Sequence, residues 1–193
     1  MTTLKAEKRS MDVKAKKLRR EGYVTGNVFG REMKESMPIQ MEKKDAERLI
    51  KTNKKGSRVT LEVEGQSMNV LIKEIDYNSL KKQIDEIDFQ ALVSGEKVHS
   101  VAEVELINHE KVSTGVLQLL LEEIAYSAVP AALVEKVQID VGNMRVGDSI
   151  RVKDLPIASD KDIDLHTDPD TIVVTVSPVR NEEAEEEPAE AAE

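Results

Sequence analysis

An all-β protein with a few short helices, split into two domains, is the fold class this 193-residue sequence predicts. Three observations predict it. Val59, Leu61 and Val63 alternate with Thr60, Glu62 and Glu64, Gly65 and Gln66 supply a turn, and Met68 to Ile75 returns, which is the pattern of an antiparallel hairpin. Runs rich in β-branched residues recur in the second half, at Val98 to Ile107, Val137 to Val141, Ser149 to Val152 and Thr171 to Val176. Between the halves, Ser94-Gly95-Glu96 breaks the pattern at a point where the charge changes sign. The division is therefore 1–92, 93–181, and a tail of 182–193 made almost wholly of Glu and Ala. That tail has too little apolar surface to offset the entropy of ordering and is expected to be disordered.

The elements follow in order. Thr3 to Arg9 alternates apolar and charged residues and reads as a first strand. Val13 to Glu21 sets Ala15 and Leu18 among Lys14, Lys16, Lys17, Arg19 and Arg20, and Gly22 stops this short basic helix. Gly22, Gly26 and Gly30 bracket Tyr23-Val24 and Val28-Phe29, a spacing suited to extended chain with a close backbone approach. Met37 to Met41 reads as a strand. Lys43 to Lys51 reads as a helix with Ala46, Leu49 and Ile50 inward, followed by a turn over 53–57 and then the hairpin. Ile84, Ile87 and Phe89 mark one more extended segment. Val116 to Ala125 fits a helix face and a buried strand equally well, and periodicity does not separate them.

Composition excludes several functions. There is no cysteine, hence no disulfide, thiolate catalysis or Cys-ligated zinc, and the chain suits a reducing compartment. No stretch has the apolar length of a signal core or a membrane span, so a soluble, cytoplasmic protein is expected. His99, His109 and His166 are not spaced to meet on a helix turn and read as isolated surface residues. Asp160, Asp162, Asp164, Asp168 and Asp170 resemble the opening of a calcium loop. Leu165, however, stands where the turn glycine belongs and Thr171 where the bidentate Glu belongs, so a solvated acidic loop is the better reading. P-loop, dinucleotide and nucleophile-elbow motifs are missing, and no catalytic residue, metal or cofactor is expected.

Charge distribution supplies the positive signal. The net charge of -9 conceals 20 Lys and Arg against 15 Asp and Glu in residues 1–92, and 8 against 22 in residues 93–193. Five cations between Lys14 and Arg20 repel one another unless an anion faces them, and phosphate is the natural anion. Arg9, Arg31 and the Tyr23/Phe29 pair lie close in sequence, and such rings either stack on bases or pack in the core.

Several segments together resemble one family, that of bacterial large-subunit ribosomal protein twenty-five in its long form, called general stress protein Ctc. They are Leu4-Lys5-Ala6-Glu7-Lys8-Arg9, Lys17-Leu18-Arg19-Arg20-Glu21-Gly22, Val28-Phe29-Gly30, Val70-Leu71-Ile72-Lys73-Glu74 and Ile87-Asp88-Phe89-Gln90. The second half adds Thr114-Gly115-Val116-Leu117, Ile139-Asp140-Val141, Gly147-Asp148-Ser149-Ile150 and Asp154-Leu155. The resemblance implies an N-terminal β-barrel that binds 5S ribosomal RNA within the large subunit, and a C-terminal β-domain for which neighbouring ribosomal proteins are one option as partners. It implies RNA contacts for Arg9, Lys16, Lys17, Arg19, Phe29 and Asp88, and more weakly for Lys73. Lys14 and Arg20 join this set through the basic cluster. Three departures stand out: Asp12-Val13-Lys14-Ala15 replaces a Gly-Lys-Gly-Ala run, Thr25-Gly26 replaces Pro-Ala, and Glu86 replaces a His two residues before Asp88. Glu86 is repelled by phosphate unless it accepts a hydrogen bond from a base edge. The alternative reading is a stress-linked interaction adaptor acting through the acidic half. An enzyme ranks third and requires Glu122, His109 or the 160–170 acids to gather around a metal.

Overall fold

The computed structural model describes residues 2–112 and 115–178; the proposed acidic tail lies outside the described residues. Six strands close a barrel: β1 (Thr2–Lys8), β2 (Tyr23–Phe29), β3 (Met37–Glu42), β4 (Arg58–Val63), β5 (Gln66–Asn78) and β6 (Gln83–Ala91). Their order is β1-β3-β2-β6-β5-β4. Two parallel pairings, β1 with β4 and β2 with β6, complete the circuit that the antiparallel hairpins begin. Alternation along each strand fills the interior with Leu4, Val24, Val28, Ile39, Met41, Leu61, Val70, Ile72, Ile87 and Phe89, all at most 2% exposed. Helix α1 (Ala15–Arg20) packs on β2, burying Leu18, and α2 (Lys43–Thr52) packs on β1 and β3 through Ala46 and Leu49.

Gly26 is the tightest point of the barrel wall. A Cβ at this position would lie 2.1 Å from the carbonyl oxygen of Ile87, so only glycine lets β2 approach β6 this closely.

The second domain holds two sheets over one core. One has the order β10-β7-β9-β12, built from β7 (Val98–Ile107), β9 (Glu123–Ala128), β10 (Lys136–Asp140) and β12 (Ile163–Leu165). The other has the order β11-β13-β8, built from β8 (Val116–Leu119), β11 (Ser149–Arg151) and β13 (Ile172–Ser177). Ala102, Ile124, Tyr126, Val137, Ile139, Val173 and Val174 are shared between them. The ambiguous stretch over 116–125 is thus strand, turn and strand. The acidic stretch over 160–170 is not purely a loop: Ile163 is buried and β12 pairs with β9.

The two domains are packed together rather than strung on a linker. Leu71 faces away from the barrel and is fully buried in the second core. Gly56, at φ +86°, brings its backbone so close to β7 that a Cβ would lie 2.2 Å from the Val101 carbonyl oxygen. Arg58 donates from Nη1 to the Pro130 carbonyl at 2.9 Å, and its backbone N–H donates to Glu135 at 3.2 Å. Among the described residues no helix is long and apolar enough to cross a membrane.

Candidate nucleic-acid interface

Strands β2 and β6 present their outward residues side by side. Asn27 and Phe29 of β2 stand half-buried, and beside them β6 sets Asp85, Glu86, Asp88 and Gln90. The face is organised by hydrogen bonds. Asp88 Oδ1 accepts the Asn27 backbone N–H at 3.1 Å and the Asn27 side-chain amide at 3.3 Å, and the same amide donates to Glu86 at 3.2 Å. Asp88 therefore fixes the position of Asn27 and keeps acceptor capacity for a ligand's donors.

Cations surround this acidic and amide centre. Arg19 Nε donates to the Asp85 carbonyl at 3.0 Å, and its guanidinium lies within 4.0 Å of the carboxylates of Asp85 and Glu86. Arg9, at the end of β1, donates from Nη2 to the Val13 carbonyl at 3.0 Å, while its buried Nε has no partner. Phe29 stays outside the barrel core. Lys14, Lys16 and Arg20 form no ion pair among the described residues, and Lys17 makes only an exposed i,i+4 contact with Glu21 at 3.8 Å. Arg31 pairs with Glu96.

Lys16, Arg19 and Arg20 line one recess of about 420 Å³ with Lys81, Gln83 and Asp85. Lys81 was not singled out from the sequence. The signal for it was the Lys81-Lys82 pair in the β5–β6 turn, which faces α1 only once the barrel has closed.

Local electrostatics are set by burial and by these contacts. Hydrogen bonds from Asn78 and Gln83, helped by Arg19, hold the Asp85 carboxyl below the ordinary carboxylate value. Glu86 moves the other way: burial and the neighbouring Asp88 raise it, against the opposing pull of Arg19 and Arg9. Glu86 is the least comfortable charge on the face.

Lys73 is not brought to this cluster. A bulge between Ile72 and Glu74 re-aims its side chain, and its ammonium donates to the His99 carbonyl at 3.0 Å in the cleft between the domains. Burial and the nearby Lys55 make that ammonium easier to deprotonate than an ordinary lysine. Arg19 is tied to β6 and does not extend freely into solvent. Of the histidines, His109 is exposed beside Glu110, but His99 and His166 meet. Among the described residues no three His, Asp or Glu side chains converge on one point, so Glu122, His109 and the 160–170 acids gather no metal centre.

The Ribosomal L25p family model matches residues 4–89, and the model for the C-terminal domain of ribosomal protein TL5 matches residues 97–180. A large ribosomal subunit protein bL25 from Bacillus pumilus is 30% identical over 200 residues, covering 98% of this chain and 94% of its own length. The chain belongs to the bL25 family. The bL25 protein of Listeria monocytogenes serotype 4b is likewise 30% identical, over 191 residues, 97% of this chain and 89% of its own. That of a Thermoanaerobacter species is 30% identical over 173 residues, 89% of this chain and 85% of its own. The bL25 family is one of structural ribosomal proteins and not of enzymes. Its two family models fall on the barrel and on the two-sheet domain, which makes this chain a long-form member.

Proposed function

We propose that this protein is a structural component of the large ribosomal subunit that binds 5S ribosomal RNA through the β2/β6 face, Arg9 and helix α1, in the cytoplasm and on the ribosome. The observation that carries this reading is the convergence of Lys16, Arg19, Arg20 and Lys81 on one recess beside that face. Four cations around one hollow outnumber its single carboxylate, Asp85, and a phosphate backbone relieves the repulsion that remains. Asp88, Asn27 and Phe29 then lie where base edges and ribose groups of an irregular RNA groove are accessible. A regular A-form major groove is too narrow to admit them, so the shape of the RNA governs recognition.

The relatives' names support the ribosomal reading and lend nothing to the adaptor alternative. Neighbouring ribosomal proteins are the contacts proposed for the acidic second domain. The test is a binding titration of the full chain with folded 5S ribosomal RNA beside a structured RNA of similar length. Preference for the 5S RNA, lost on reversing Lys16 and Lys17 to Glu, supports the proposal. Equal affinity for both RNAs, or binding that survives the reversal, contradicts it.

A further inference from the structure

Far from α1 in sequence, three strands of the second domain bring three donor atoms together. His99 on β7 pairs with Ser127 on β9, and β12 delivers His166 just beyond its end, where the His166 backbone N–H donates to the Ala125 carbonyl at 2.9 Å. His99 Nδ1 and His166 Nε2 are 3.1 Å apart, and the Ser127 hydroxyl lies 2.8 Å from the first and 2.6 Å from the second. The two rings are tilted by 38° with centroids 4.8 Å apart, so their nitrogens converge and their faces do not stack. Both imidazoles are exposed, while Ser127 beneath them is only 6% exposed and is fixed in the sheet.

We propose that His99 Nδ1, His166 Nε2 and Ser127 Oγ form one face of a binding site for a divalent d-block cation of the Zn²⁺, Cu²⁺ and Ni²⁺ group. Atoms bound at about 2.0–2.1 Å from one such ion sit about 2.9 Å apart at right angles and about 3.4 Å apart at the tetrahedral angle. The observed separations of 2.6 to 3.1 Å lie at the right-angle end, leaving the outward positions for water. Without a cation one nitrogen keeps its proton and the hydroxyl bridges the pair. Binding moves the His166 proton to Nδ1 and keeps the His99 proton on Nε2, so each ring presents a lone pair.

The charged groups nearest the three donors are held by partners of their own. Asp164 sits on the same sheet face, opposite Ser127. The nearby ammoniums already have partners: Lys97 pairs with Asp164, Lys55 with Glu123, and Lys73 with the His99 carbonyl. A bound ion cross-links β7 to β12 across β9 at the mouth of a cleft of about 370 Å³ between the two domains. The site is built without any residue of the RNA face and stands or falls independently of RNA binding.

Calorimetric titration of the full chain with Zn²⁺, and electron paramagnetic resonance with Cu²⁺, test it. The expected result is one ion per chain, with affinity reduced at least about tenfold by His99→Gln and by His166→Gln but unchanged by His109→Gln. The Cu²⁺ spectrum should show coupling to two nitrogens in the wild type and in His109→Gln. Because both rings are exposed, these variants should melt with the wild type in chelator, whereas Zn²⁺ should raise the melting temperature of the wild type alone among wild type, His99→Gln and His166→Gln. Absence of binding at about 1 mM Zn²⁺, or binding by His99→Gln or His166→Gln as tight as that of the wild type, overturns the proposal.

Discussion

Lys17 and Arg19 are two residues apart on the same short helix, yet they have different roles. Lys17 extends into solvent with a loose contact to Glu21, whereas Arg19 is 27% exposed in its side chain and bound to the backbone and carboxylates of β6. Arg9 resembles Arg19, being folded against the Val13 carbonyl with one nitrogen buried. The basic cluster thus contains two populations. The tethered Arg9 and Arg19 give the proposed RNA face its shape, and the untethered Lys14, Lys16, Lys17 and Arg20 give it a field. The difference matters because a tethered cation meets a phosphate with its position already fixed, while a free one loses side-chain entropy on binding.

The sharpest way to separate the two is to reverse charge where nothing is tethered. The Lys16→Glu, Lys17→Glu double variant should bind 5S ribosomal RNA about a hundredfold more weakly, with stability within about 0.5 kcal/mol of the wild type. Denaturant midpoints measured beside the binding curve check both halves. Arg19→Ala should lose affinity and also about 1–3 kcal/mol of stability, because Asp85 and Glu86 are left with an unbalanced, partly buried charge. Equal melting of Arg19→Ala and Lys17→Ala would erase the distinction.

A smaller effect comes from Glu86. Its folded-state value is raised, so the native protein holds the proton more tightly than the unfolded chain does. Its contribution to stability is therefore complete below the unfolded value and is lost as pH rises through the raised native one. Asp85, with a lowered value, works in the opposite sense, adding stability above its unfolded value that is lost as pH falls through the native one. The groups facing Glu86 are Asp88 and Asp76 on one side and Arg19 and Arg9 on the other. RNA affinity should consequently strengthen as pH falls from neutrality toward the native value of Glu86, and Glu86→Gln should bind more tightly at neutral pH and flatten that part of the profile. A profile unchanged in Glu86→Gln would show that the carboxylate does not face the RNA.

How much of this was legible beforehand depends on distance along the chain. The β4–β5 hairpin, α2, the basic helix and most strands are written in local periodicity, and they fold as read. The parallel pairings of β1 with β4 and β2 with β6 leave no local trace, and the barrel was expected only from the family resemblance. The bulge that diverts Lys73, the outward burial of Leu71 and the arrival of Lys81 beside α1 all depend on where a second element packs. β12 was hidden because three residues within an acidic alternation are too few to show a period. With it went the meeting of His99 and His166, which strand pairing makes and helical spacing does not. The family resemblance implied the barrel, but the tethering of Arg19 and Arg9 is visible only in the structure.

The most direct test of the central claim is the salt dependence of binding between the full chain and folded 5S ribosomal RNA. If Arg9, Lys14, Lys16, Lys17, Arg19 and Arg20 together neutralise about four to six phosphates, log affinity should fall against log salt with a slope of about -3 to -5. Lys17→Ala should flatten that slope by a little under about one unit, and Phe29→Leu should weaken binding while leaving the slope unchanged. A wild-type slope near zero, with folded protein and folded RNA, would contradict the account and show that the recess beside α1 is not where RNA binds.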